Sequence, residues 1–418
     1  MNIEKKILRS IDSLILWRNI RCNSILIKLE RLLNNMLKED CHSLIDDYYS
    51  LFHAFIEKAK WDGDIHSWQN YIKQLVELDE NQFSLKAERL NFQDIPMPMV
   101  NLAKQDLERI EHIIKIPWDL IIRKIEDKLG QSIEPIFKKK TKKESFLNLD
   151  IEKLAEKFNT HGCGQFGVYR GFRWNVSKEG RRYLEGIENI DAIELEDLVG
   201  YDIQKKRLIE NTKLLLSGYS ANNALLYGDK GTGKSSMVKA ILNRYYNRGL
   251  RAVEVPKDNL EEYYDILSIL ENRGLKFIIF IDDLSFEESE SEYKHIKALL
   301  EGGLKERPKN VVIYATSNRR HLIRQSFDDR DEVTPADAIQ EKLSLSDRFG
   351  ITLTFMSPSQ KEYIAIVKNI AASRGLTVDE DYLIESALSW SMRYNGTSGR
   401  TARQFIDHLE GLTAINVH

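Results

Sequence analysis

The chain has 418 residues, enough for two or three compact domains, and its 42% hydrophobic and 30% charged residues exclude wholesale disorder. A formal net charge of −3 gives no support to a dedicated nucleic-acid binder, which would carry a basic excess, although a local basic groove stays open. Cys22, Cys41 and Cys163 are too few and too far apart for a disulfide framework. No apolar run approaches the roughly 20 residues of a membrane span, so a cytoplasmic protein without membrane contact is expected.

In chain order, helices come first. Ile3, Ile7, Ile11 and Leu14, then Ile25, Leu29, Leu32 and Leu33, recur at helical spacing, and further helices are predicted over 41–59 and 67–78. Pro96 and Pro98 are expected to interrupt the pattern, with helix resuming at Asn101 and ending near Pro117. Trp17, Trp61, Trp68 and Trp118 are expected to anchor the packing between these helices. The lysine run at 138–143 reads as a solvated linker face and marks a domain joint. This predicts a mainly helical N-terminal domain over 1–145, suited to binding a partner, and an irregular linker segment over 146–190.

From Ile193 the pattern changes. Strands are predicted at 224–227, 251–255, 276–281, 310–316 and 351–355. Helices are predicted over 203–216, from Lys234, over 260–272 and over 290–300. Such alternation implies an α/β fold over 191–356 with a five-stranded parallel sheet covered on both faces, in three αβα layers. After Pro358 the pattern is helical to the end, which predicts a helical domain over 357–418.

Gly228-Asp229-Lys230-Gly231-Thr232-Gly233-Lys234-Ser235 fills the Walker A pattern between an apolar strand and a helix. Glycines let such a loop curl so that its amides face phosphates, and the helix start adds its positive dipole end. Lys234 would neutralise the β- and γ-phosphates of ATP or ADP, and Ser235, followed by Ser236, would open the helix with a hydroxyl on Mg²⁺. The apolar strand 277–281 ends in Asp282-Asp283, which puts one carboxylate, Asp282, where it can hold that metal. Gly162-Cys-Gly-Gln-Phe-Gly167 satisfies a dinucleotide fingerprint, but no apolar strand precedes it, so it fails its contextual test.

These motifs resemble the AAA+ superfamily, and more narrowly a bacterial family of predicted AAA+ ATPases known as a domain of unknown function. The phrases that carry the resemblance start at Asn223, Phe280, Tyr314 and Glu341, and it covers about Ile190 to the C-terminus. It implies a sensor at Asn318 that orients the attacking water, and an arginine finger at Arg348 that reaches a neighbouring subunit. It also implies that the C-terminal helices, 357–418, form a lid with a second sensor at Arg400 or Arg403, and that Leu198-Val199-Gly200-Tyr201 lines the adenine, with Val199 and Gly200 as its site residues. A homo-oligomer in the ATP-bound state follows from the finger. The pattern departs from active relatives at Asp283, where the water-activating residue is usually Glu; Glu287 or Glu288 could compensate. The expected activity is Mg²⁺-dependent ATP hydrolysis coupled to conformational change on a macromolecular partner, most simply a protein. The alternatives are a nucleotide-gated scaffold with negligible hydrolysis and a DNA-associated loader or remodeller.

Overall fold

Helices Ile3–Asp12, Ser24–Met36, Leu44–Lys58, Ile65–Leu78, Gln82–Arg89, Met97–Ile114 and Trp118–Leu129 build the first part of the chain. Each turns an apolar stripe inward, so that Ile11, Leu29, Phe52, Phe55, Ile72 and Ile110 share one core. The computed structural model describes residues 2–38, 43–137, 149–284, 307–318, 348–394 and 396–416. It divides into two units, Met1–Val168 and Tyr169–His418.

In the first unit Trp17, Trp68 and Trp118 are buried, and the Trp68 and Trp118 rings meet edge to face at 5.1 Å. Trp17 and Trp68 satisfy their indole N–H groups on the carbonyls of Val76 and Ile113. Trp61 departs from expectation and is 40% exposed, because it follows the end of its helix and enters an Asp- and Gly-containing turn. The prolines also read differently in place. The helix starts at Met97 rather than Asn101, with Pro98 in the first turn, where a backbone N–H has no intrahelical partner to lose. Buried Asp106 accepts from the amides of Ile15, Leu16 and Trp17, which pins the loop after the first helix. The lysine run at 138–143 lies outside the described residues.

The second unit is organised by a 7-stranded sheet. Its strands are β1 (Gly171–Val176), β2 (Arg182–Gly186), β3 (Ala224–Gly228), β4 (Leu250–Glu254), β5 (Lys276–Ile281), β6 (Val311–Ser317) and β7 (Ile351–Phe355), in the order β2-β1-β4-β5-β6-β3-β7. The five expected strands pair in parallel as β4-β5-β6-β3-β7. β5 and β6 are almost continuously buried, which is why their sequences read as unbroken apolar runs.

Two strands exceed the expectation. The segment expected to be irregular, 146–190, contains the helix Ile151–His161 and then β1 and β2, an antiparallel hairpin whose first strand pairs in parallel with β4. Phe172 and Trp174 alternate with Arg173 and Asn175, so one face of β1 is buried. The Trp174 indole donates to buried Glu262, which also accepts from Arg182 Nε at 3.0 Å.

Beyond β7, helices Gln360–Ser373, Glu380–Arg393 and Gly399–Asn416 pack around Tyr363, Val367, Leu383, Phe405 and Ile406. A capping box between Ser359 and Glu362 starts the first of them. No helix among the described residues is long and apolar enough to cross a membrane.

Candidate nucleotide site

Strand β3 leaves the sheet at Gly228, and only glycine serves there. Its φ is 141°, and a Cβ would meet the carbonyl oxygen of Phe355 at 1.9 Å. The loop then turns through Gly231 and Gly233 into the helix Lys234–Tyr245, whose first amides have no intrahelical partner. At the loop's tip the Gly231 carbonyl accepts from the backbone N–H of Arg400, at the start of the last helix.

Lys234 is 7% exposed, and its ammonium lies under the loop. It donates to the carbonyls of Gly228 and Asp229 at 2.8 and 2.6 Å and to Asn318 Oδ1 at 3.1 Å. Burial lowers its pKa below the ordinary lysine value. Asp229, Asp283 and Asp282 pull it back, while the nearby Arg400 adds to the lowering.

The strand-end acids diverge. Asp282 Oδ1 accepts from the Ser235 hydroxyl at 2.6 Å and from Thr316 Oγ1 at 2.5 Å. Asp283 adopts a left-handed φ of 53°, which swings its carboxylate to Asn318, whose Nδ2 donates to Oδ1 at 2.5 Å. Thr316 holds this fork, since the same hydroxyl accepts from the Asp283 amide at 2.9 Å. Parallel pairing of β5 with β6, Ile281 opposite Ala315, brings these residues to the C-terminal end of the sheet. Ser235 and Asp282 thus present a hydroxyl and a carboxylate oxygen at one point, a hard-oxygen pair that fits Mg²⁺ held by few protein ligands.

A cavity of about 860 Å³ opens over the loop. Lys230 through Ser236, Asp282, Asp283 and Asn318 line its floor, Leu198, Val199 and Tyr201 one wall, and Ile370, Arg400 and Arg403 the lid side. Of the two candidate second sensors, Arg403 donates to Asp191 at 3.3 Å, whereas Arg400 lies close enough to Lys234 to shift its titration.

Several predicted residues stand elsewhere. Gly200 does not line the cavity and its neighbour Tyr201 does. The Tyr201 ring packs on Phe355 at 4.9 Å, and its hydroxyl, pushed up to about 12 by burial, donates to the Met356 carbonyl. The Asp229 carboxylate points out of the phosphate loop and accepts from the Ser357 amide and hydroxyl. Arg348 sits before β7, at the strand's N-terminal end, whereas the loop meets β7 at its C-terminal end beside Phe355. At about 3.3 Å per residue the strand Ile351–Phe355 alone sets the two ends on the order of 13 Å apart, with Arg348 three residues before it. Glu287 lies outside the described residues. Thr316, Asp191 and Ser357 were not anticipated; only Thr316 carried a signal, as a polar residue closing an apolar strand.

The sheet order, the glycine loop leading into a helix and the helical lid define a P-loop NTPase core of the AAA+ type. The chain belongs to the family described as Protein of unknown function (DUF815), whose model matches residues 168–413. It is similar to a protein of Methanocaldococcus jannaschii named as a homologue of a 26S proteasome regulatory subunit. That match has 25% identity over 236 residues, 47% of this chain and 62% of the relative. The Holliday junction branch migration complex subunit RuvB of Mycoplasmopsis pulmonis is 27% identical over 192 residues, 44% of this chain and 56% of that one. The chain therefore covers less than two thirds of either relative. Among solved structures, the RuvB Holliday junction branch migration motor of Thermotoga maritima is 20% identical, with a TM-score of 0.38, covering 53% of this chain and 66% of that one.

Proposed function

We propose that the chain binds ATP with Mg²⁺ in this cavity and hydrolyses it, coupling turnover to movement of the lid on a macromolecular partner. One observation carries the reading. The Ser235–Asp282 pair and the Lys234–Asn318–Asp283 chain of hydrogen bonds meet on one cavity floor, opposite Arg400 on the lid side.

The roles follow from chemistry. Lys234 would give up its loop carbonyls for β- and γ-phosphate oxygens, where a full positive charge is worth most. Ser235 and Asp282 would hold Mg²⁺, which supplies charge neutralisation at the phosphates when bound. Asn318 would orient the attacking water and Asp283 would accept its proton. The apolar wall of Leu198, Val199 and Ile370 suits a base, and Arg400 suits the phosphate end. The position of Arg348, remote from its own loop, supports a finger that serves a neighbouring copy, and hence an oligomer.

One observation favours a second reading, a nucleotide-gated module with negligible hydrolysis. Asp283 is one methylene shorter than the usual Glu and is already engaged by Asn318. A loader or remodeller acting on DNA draws support only from one relative's name and from the lysine run at 138–143. Phosphate release by the full chain, with and without Mg²⁺ and beside Lys234→Ala, separates hydrolysis from mere binding. Release that needs both Mg²⁺ and Lys234 supports the first reading, and binding without release supports the second.

A further inference from the structure

An acid inside a phosphate-binding loop poses an electrostatic problem. Asp229 directly follows the first glycine of the loop, and its negative charge would repel the triphosphate that the loop is built to hold. Its carboxylate is turned away and spent elsewhere. Asp229 Oδ2 accepts from the Ser357 backbone N–H at 2.9 Å and from the Ser357 hydroxyl at 2.8 Å. Ser357 belongs to the short connector, 356–358, between β7 and the first lid helix.

The rest of that connector is held as well. Tyr201 donates to the Met356 carbonyl at 2.6 Å, and Thr397, just ahead of the last lid helix, donates to the Pro358 carbonyl at 2.9 Å. The tip of the loop touches the lid directly, through the Gly231 carbonyl and the Arg400 amide at 3.2 Å. Two points of a single loop are thus bonded, one to the connector and one to the lid.

We infer that Asp229 is a positioning residue that ties the phosphate loop to the lid connector through Ser357, so that loop shape and lid angle change together. It does not touch the nucleotide; it sets how firmly the lid stays closed over one. This rests on the nucleotide-binding reading given above.

The two roles open to Asp229 predict opposite signs. If it were a loop acid with no other duty, removing its charge would relieve repulsion and slow nucleotide release. As a tie, Asp229→Ala loses both hydrogen bonds and speeds release. Asp229→Asn keeps an acceptor for the Ser357 amide and loses the charge, so it holds nucleotide as well as the parent chain or better.

The test is stopped-flow release of mant-ADP from the full chain, with hydrogen exchange over 360–373 read in the ADP-bound state. Asp229→Ala is expected to release about three- to tenfold faster, the range of an ordinary net hydrogen bond, with faster exchange in the first lid helix. Ser357→Ala should give part of that effect, and the double variant no more than Asp229→Ala alone. Slower or unchanged release from Asp229→Ala, or fully additive effects of the two substitutions, would overturn the tie. Failure of the parent chain to bind mant-ADP at all would instead overturn the nucleotide site itself.

Discussion

Ser235 donates its hydroxyl to Asp282 at 2.6 Å, joining the first turn after the phosphate loop to the end of β5. A hydroxyl and a carboxylate at that separation face one point in space, and that shared point is the ground for proposing Mg²⁺ there. Asp282→Ala should therefore keep nucleotide binding in the absence of Mg²⁺ while losing the Mg²⁺-dependent gain. Turnover should fall by about 100-fold, the effect of misplacing a reacting group by roughly 1 Å. Titrating Mg²⁺ against phosphate release checks this.

Asp283 combines two demands on one residue, a left-handed backbone and a carboxylate. Asn tolerates that conformation where Ala does not, so the two can be separated. Asp283→Asn should lower turnover at least about tenfold with little change in Tm, as expected for loss of a general base. Asp283→Ala should lose turnover and also about 1 kcal/mol of stability, the cost of a left-handed residue. Thermal unfolding beside steady-state turnover reads both.

The remoteness of Arg348 from its own loop predicts complementation. Arg348→Ala alone and Lys234→Ala alone should each be inactive, while their mixture should recover part of the activity. A subunit lacking Lys234 still offers an intact Arg348 to a neighbour's complete loop. The finger is worth about 10³-fold or more in rate where it acts, so recovery would be plain. Mixtures that stay inactive, while the single variants still associate, would remove Arg348 from the site.

The two lid arginines should behave differently. Arg403 pairs with Asp191 at 3.3 Å, and both side chains are about 40% exposed, at 44% and 39%. Exposed pairs contribute about 0–1 kcal/mol and are screened by salt. Arg403→Ala should weaken nucleotide binding by less than about fivefold, and only at low ionic strength. Arg400→Ala should cost more, because that cation lines the cavity on the lid side and its charge reaches Lys234. Affinity for ADP and ATP at two salt concentrations decides between them.

What could be read from the sequence is local. A glycine loop between an apolar strand and a helix is a short pattern, as is a strand that ends in acids, so residues 228–235 and 282–283 stood out. The parallel core strands were legible because burial on both faces makes their runs continuous. The contacts that hold the site together were not legible, because register sets them rather than neighbourhood. Thr316 reaches Asp282 through the pairing of β5 with β6, and Asp229 reaches Ser357 across 128 residues. The β1–β2 hairpin was readable in principle, since Phe172 and Trp174 alternate with Arg173 and Asn175. Flanking glycines and short strands hid it. The prolines at 96 and 98 read as breakers in the sequence because their place within the helix, not their presence, decides what they cost.

The most direct measurement is titration calorimetry of ATP·Mg²⁺ into the full chain and into Lys234→Ala. Uptake of one nucleotide per chain is expected, weakened at least about 100-fold when the ammonium is removed from the loop. Absence of heat from the parent chain, or equal affinity in the variant, would contradict it.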